Sequence, residues 1–299
     1  MKNIVVAGEF SFTEDQKKRL ENLGTVTFVG ESESAQQWCE KVQGADIICS
    51  DGDYLLENLP NLKNVFVTYP FIELGSFDSQ ELEKNGVFVA NTQGSNRDSI
   101  VEWVMFMILS LLRKFPHTLN VTENIPLEFH ESLCGKNLLI VGKGSIGQKI
   151  GSVSESFGMN VEFFCRGDKL SEKTASADVI VNSLNCNPSS ENLLDEEFFL
   201  SVKKGAYFIS FVRQYTYDLN GLITSLDKDV MAGAAIDCDP ESPGDTTNDF
   251  YQKIVKHDKI LATPHIAFST QQAKAQGVET VVQNIEAYCA GKPQNILKK

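Results

Sequence analysis

Short apolar runs alternate along the chain with longer stretches in which apolar residues recur every three or four positions, the pattern of strands followed by helices. Residues 4–7 (Ile-Val-Val-Ala) predict a buried strand, 13–23 a charged helix closed by Gly24, 25–29 a second strand, 34–42 a helix and 46–49 a third strand. Residues 62–68 and 87–90 continue as strands, with a helix at 79–85 between them. Such β–α alternation predicts parallel sheets covered by helices, and one compact unit is complete near residue 95.

Ser99-Ile100-Val101-Glu102 has the spacing of a capping box and opens a predicted long helix that Pro116 stops. From Trp103 to Leu109 this helix is apolar nearly all round, so it belongs in a core or in a subunit interface. A second α/β series follows, with strands at 138–141, 161–165, 179–182, 207–211, 233–236 and 260–262. A last helix, about 270–290, ends at Gly291 with Pro293 beyond it. The sequence has no internal repeat, low-complexity tract or long linker, so its domains are expected to be joined by short connections.

The first strand of the second series runs directly into Gly142-Lys143-Gly144-Ser145-Ile146-Gly147, and a predicted helix occupies 148–156. A dinucleotide-binding turn needs this order. Gly142 permits the tight turn, Gly144 lets backbone N–H groups approach a pyrophosphate, and Gly147 lets helix and strand pack closely. The helix N-terminus then faces the phosphate charge. A GxGxxG alone is also an ordinary glycine-rich turn; its place between strand and helix makes it a nucleotide site.

Bulk properties narrow the partners. With 299 residues, 42% hydrophobic and 22% charged, the chain has the make-up of a soluble globular protein of two domains. The formal net charge of −13 argues against nucleic acid and against anionic membrane surfaces. The seven cysteines are scattered, odd in number and never in CxxC pairs, so reduced thiols are expected and no metal site is visible. The N-terminus reads as a strand, not a signal peptide, and a cytoplasmic protein is expected.

Five segments, in order, resemble the D-isomer-specific 2-hydroxyacid dehydrogenases. They are Asn91-Thr-Gln-Gly94-Ser-Asn96 leading to Ser99-Ile-Val-Glu102, the Gly142–Gly147 loop, residues 203–213 ending at Arg213, Gly233-Ala-Ala-Ile-Asp237, and Thr263-Pro-His265-Ile-Ala267. The resemblance implies two Rossmann-like or flavodoxin-like parallel-sheet domains with an active site in the cleft. Residues 1–96 plus 270–299 would form the substrate domain and 97–269 the nicotinamide dinucleotide domain. It also implies a homodimer formed through the nucleotide domain.

Reduction of a 2-keto acid needs a cation to hold the carboxylate and polarise the keto oxygen, an acid to protonate that oxygen, and a pocket that excludes water. Arg213 suits the first task, because its guanidinium grips two oxygens in a fork. His265 suits the second, because imidazole titrates near neutrality. The resemblance gives Asp237 a place on the nicotinamide side of the site. Otherwise these would be a surface arginine, a loop histidine and a strand-end acid. The cofactor set is Gly142, Gly144, Ser145, Ile146 and Gly147 with Cys165, Arg166 and Asp237.

The sequence departs from the family in three places. The family's glutamate partner of the histidine falls at Ser242; Glu241, one residue away, and Asp239, three away, are the candidates to replace it, and Glu241 is counted with Arg213 and His265. The family's glycine-rich substrate turn is Val67-Thr-Tyr69-Pro70-Phe71-Ile72-Glu73 here, where Pro70 removes a donor and two rings add bulk. Ser50-Asp51-Gly52-Asp53 places acids where phosphoglycerate-type members carry a cation, which argues for a monocarboxylate substrate. Finally, the second strand of the nucleotide domain ends at Cys165-Arg166 and not at an acid, so NADP is expected ahead of NAD, with Asp168 close enough to compete. Gln214 after Arg213 and Phe211 before it crowd the site.

Three functions follow. The first is an NAD(P)-dependent reductase of a small 2-keto acid. The second is a nucleotide-binding family member with lost or weak turnover that acts as a redox sensor or scaffold. The third is hydride transfer from a donor such as formate or phosphite.

Overall fold

Strands Lys2–Ala7 (β1), Gly24–Phe28 (β2), Ile47–Ser50 (β3), Phe66–Thr68 (β4) and Phe88–Ala90 (β5) form a parallel sheet in the order β2-β1-β3-β4-β5. The apolar runs take the central positions: Ile4, Val6, Ile47, Phe66 and Val67 are fully buried. The edge strand β2, with Thr25 and Thr27, keeps only Gly24 buried. The computed structural model describes residues 1–51, 54–72, 74–75, 77–115, 117–118, 122–124, 127–238 and 243–298. Among these no helix is long and apolar enough to cross a membrane.

The chain divides into two compact units, Met1–Asn96 with Thr270–Lys299, and Arg97–Ser269. In the first, the last helix, Gln271–Cys289, returns to cover the sheet. Arg19 holds it with a fork onto Glu286 (2.8 Å to each oxygen) and with bonds of 3.0 Å to Glu279. Asn284, wholly buried, donates to the Asn91 carbonyl (2.8 Å) and accepts from Asn295 (2.9 Å). Buried amides persist only when paired in this way.

The second unit contains Asn137–Val141 (β6), Asn160–Phe164 (β7), Val179–Asn182 (β8), Ala206–Ser210 (β9), Met231–Asp237 (β10) and Ile260–Thr263 (β11). They pair in parallel in the order β11-β10-β9-β8-β6-β7. Apolar clusters cover both faces of this sheet. That is why β8 reads Val-Ile-Val-Asn with no alternation and is buried throughout.

Three expectations are corrected. The long helix spans Arg97–Leu112, so Ser99 is a buried residue of its first turn and not its cap. It ends with Lys114 at φ +52, Lys114 N–H on Leu111 O (3.2 Å) and Phe115 N–H on Ser110 O (2.8 Å), a Schellman closure. The helix after the glycine loop starts at Ser145, three residues before the expected 148, because Gly144 caps it with no side chain to signal a start. The strand expected over 62–68 is confined to Phe66–Thr68, since Leu59–Asn61 forms a 3-10 turn ahead of it. Thr13, Ser34 and Thr270 are N-caps outside their helices, each accepting an N–H of the first turn.

Candidate functional site

Because every strand of the second unit is parallel, the loops after β6, β7, β9, β10 and β11 leave one edge of one sheet. The chain order reverses between β6 and β8, where open α/β sheets take their ligands. Gly142, after β6, has φ +112, and a Cβ there would lie 2.4 Å from the Ser183 carbonyl, so no other residue fits. Gly147 is closed in the same way, with the Gly142 carbonyl 2.4 Å from its Cβ position. Gly144 is different: a Cβ on it would meet nothing within 4 Å. The space in front of the helix is open, and no side chain caps the first-turn N–H groups of Ser145, Ile146 and Gly147. An open cradle of donors at a helix start fits the pyrophosphate of a dinucleotide.

The loop is tied to the end of β7 through Gly142 N–H on the Phe164 carbonyl (3.2 Å). Cys165 follows, and its N–H donates to Asp168 Oδ2 (2.8 Å), which also lies 3.4 Å from Lys173 Nζ. The Cys165 N–H, followed by Lys173, holds the Asp168 carboxyl below its ordinary range. That carboxylate therefore braces its own turn. Arg166 turns the other way and donates to Ser189 Oγ (3.0 Å).

Asp237 closes β10, and the register places it beside Thr263 of β11. It is 4% exposed, and burial raises its pKa against the pull of three donors. Thr263 Oγ1 donates to Oδ1 (2.6 Å), Ile266 N–H to Oδ1 (2.9 Å) and Ala267 N–H to Oδ2 (2.8 Å). Those donors flank His265, which sits at φ +58, a left-handed conformation that costs a β-carbon residue about 1–2 kcal/mol. Three bonds to one carboxylate offset that strain and fix the turn. The imidazole lies edge-to-face with Phe268, ring centroids 5.4 Å apart.

Arg213 follows the buried strand β9. Its carbonyl accepts from Thr216 N–H (3.2 Å) and Thr216 Oγ1 (3.0 Å). Asn182, at the end of β8 and fully buried, reaches Thr216 Oγ1 (2.9 Å) and Ser210 Oγ (3.3 Å), so the turn presenting Arg213 is braced from beneath. Arg213, Asp237 and His265 thus leave three neighbouring strands, β9, β10 and β11, in one direction. Glu241, with Asp239 and Ser242, lies outside the described residues. Sequence reasoning placed Thr263 in the His265 segment without giving it a role, and missed Asn182, both roles coming from strand register, and Ser189, whose only signal was a polar loop after β8.

In the first unit the segment after β4 is pinned by its backbone. Tyr69 N–H donates to Ala90 O (2.9 Å), Phe71 O accepts from Thr92 N–H (3.1 Å), and Ile72 O accepts from Asn91 Nδ2 (2.7 Å). Asp51, after β3, accepts Glu9 N–H (3.1 Å).

The family described as D-isomer specific 2-hydroxyacid dehydrogenase, NAD binding domain, matches residues 105–267, just over half of the chain. D-3-phosphoglycerate dehydrogenase of Escherichia coli is 30% identical over 257 residues, 80% of this chain and 60% of the relative. That of Bacillus subtilis is 30% identical over 245 residues, 74% of this chain and 45% of the relative. The chain thus spans about half the length of these curated relatives. Among solved structures, an acyclic imino acid reductase in complex with NADPH and D-Arg superposes with a TM-score of 0.81 at 18% identity, covering 99% of this chain and 100% of that one. A D-lactate dehydrogenase from Treponema pallidum gives 0.78 at 22% identity over 99% and 100%. These likenesses show a shared fold. With the family match and the glycine loop in place, the chain belongs to the D-isomer specific 2-hydroxyacid dehydrogenase family.

Proposed function

We propose that the chain is an NAD(P)-dependent oxidoreductase that transfers a hydride between the dinucleotide and a small 2-keto or 2-hydroxy monocarboxylic acid. The observation that carries this reading is the buried Asp237 carboxylate holding the His265 turn with three hydrogen bonds on the strand next to the one that presents Arg213. The dinucleotide supplies the hydride when bound. Arg213 holds the substrate carboxylate and draws charge onto the keto oxygen, and His265 gives that oxygen its proton. Asp237, with its oxygens on the turn, acts through His265. Residues 97–269 are the nucleotide domain of this reading, and 1–96 with 270–299 its substrate domain. NADP is the preferred dinucleotide, because Cys165 offers no carboxylate to a ribose hydroxyl, Asp168 is turned onto its own loop, and Arg166 stands free of any carboxylate among the described residues. The protein acts in the cytoplasm as a homodimer, whose interface takes in Phe106, Leu109, Leu127 and Phe129, all exposed in the single chain.

One observation favours the second reading, a binding protein without turnover. The segment after β4, where the family's donors receive a substrate carboxylate, spends Tyr69 N–H on Ala90 and has none at Pro70. The deciding experiment follows loss of reduced nicotinamide absorbance for NADPH and NADH with a panel of 2-keto acids from acidic to neutral pH, with nucleotide binding measured on the same samples. Turnover with a monocarboxylate establishes the reductase. Tight binding without turnover on any acid leaves the second reading, and turnover with formate or phosphite alone leaves the third.

A further inference from the structure

We infer that Lys143, inside the glycine loop, is a second cation of a phosphomonoester subsite around Cys165 and Arg166, where it selects the dinucleotide that carries a 2′-phosphate. The inference rests on the NADP reading and adds to it a residue outside the strand-end turn. The Lys143 ammonium lies 5.0 Å from the centroid of the Phe163 ring, on β7, so its stem runs from the loop toward that strand and not across the helix start. Phe163 packs on the face of β7 that covers the helix Ser145–Ser156, its ring 2.8 Å from the Cβ position of Gly151. Side chains alternate along a strand, so Cys165 follows on the same face, about 7 Å farther along. That is the place where NAD-binding members of such folds carry a ribose-binding acid. Lys143 is exposed, and among the described residues no carboxylate is paired with it.

Arg166 is anchored on the loop that follows β8. Ser189 Oγ accepts its Nη2 (3.0 Å) and donates to Asn187 Oδ1 (2.6 Å). The turn itself is braced, with Asn187 N–H on Ser190 Oγ (3.0 Å) and Ser190 Oγ on the Asn185 carbonyl (2.6 Å). A flexible ammonium from the glycine loop and a guanidinium anchored on Ser189, at a turn whose one carboxylate, Asp168, is spent on the Cys165 N–H and Lys173, suit a dianionic phosphate, which both cations can contact by charge-assisted hydrogen bonds. A ribose bearing only hydroxyls gives them nothing to neutralise.

The test is equilibrium titration of NADPH, NADH, adenosine 2′,5′-bisphosphate and AMP into the wild-type protein and into Lys143→Met, Lys143→Arg and Arg166→Gln. Lys143→Met is expected to weaken NADPH and the bisphosphate by about tenfold or more while NADH and AMP change less than about twofold, and Lys143→Arg to restore most of the difference. Equal weakening of NADPH and NADH in Lys143→Met places the ammonium on the pyrophosphate and overturns the inference. No change in any ligand, with Arg166→Gln still collapsing the NADPH preference, overturns it too and leaves the NADP reading standing. A wild-type protein that binds NADH as tightly as NADPH, and the bisphosphate no better than AMP, removes the NADP reading and the inference together.

Discussion

Replacing Asp237 by Asn tests how the His265 turn is held. The carboxylate accepts three hydrogen bonds at 2.6, 2.9 and 2.8 Å, two on Oδ1 and one on Oδ2. An asparagine keeps one acceptor oxygen, enough for Thr263 Oγ1 and one backbone N–H, and turns its amide donor toward the other. A buried N–H left facing a donor costs about 1–3 kcal/mol. The left-handed backbone at His265, φ +58, already stores about 1–2 kcal/mol. Losing the bond that offsets this strain lets the turn relax and moves the imidazole off its line. Because tenfold in rate is about 1.4 kcal/mol, kcat for 2-keto acid reduction is expected to fall roughly 10- to 100-fold. Dinucleotide affinity is expected to fall much less, since the glycine loop is untouched. Steady-state kinetics, nucleotide titration and a melting curve on the same preparation check this. An Asp237→Asn protein that keeps kcat within about threefold and loses nucleotide affinity instead would refute the reasoning and make Asp237 a direct cofactor ligand.

Gly144→Ala should lose only the roughly 1 kcal/mol of a poorer helix cap, because its Cβ position meets nothing within 4 Å, yet weaken dinucleotide binding about tenfold by intruding on the cradle. Gly142→Ala should show the opposite balance, losing about 1–3 kcal/mol of stability in urea unfolding, because φ is +112 and the Ser183 carbonyl stands 2.4 Å from the new Cβ. Ser242→Glu, which restores the residue type that the resemblance to the family implies as the partner of His265, should raise reductase activity at neutral pH; an unchanged pH profile in a folded variant would count against it. Phe106→Glu should shift the native mass from dimer to monomer in light scattering, and a monomeric wild type would remove the dimer from the account.

The sheets were legible because buried parallel strands appear as uninterrupted apolar runs, as in Leu138-Leu-Ile-Val141 and Val179-Ile-Val181. Helix starts were legible where a side chain does the capping, as at Thr13, Ser34 and Thr270. They were not legible where no side chain does it. Gly144 gives no cap signal because it has no side chain to accept a first-turn N–H. The Ser99-x-x-Glu102 spacing misled for the converse reason, since a capping-box pattern inside a helix is only a buried serine and an exposed glutamate. The residue types of the site were readable, but their couplings were not. The bond from Thr263 to Asp237 depends on the β10–β11 register. The fate of Asp168 depends on a turn that brings its carboxylate onto Cys165 N–H, and no spacing along the chain reports either.

The central claim is that Arg213 and His265 work together on a keto acid. Single-turnover oxidation of bound NADPH by a saturating 2-keto monocarboxylate, in wild type, Arg213→Gln and His265→Asn, measures it most directly. Asparagine tolerates the left-handed backbone, so His265→Asn removes the proton donor without adding strain. Rapid oxidation is expected in wild type and a loss of at least about 100-fold in each variant, with nucleotide binding and melting temperature retained. Oxidation at the wild-type rate in either variant, or none in wild type despite tight NADPH binding, would contradict it.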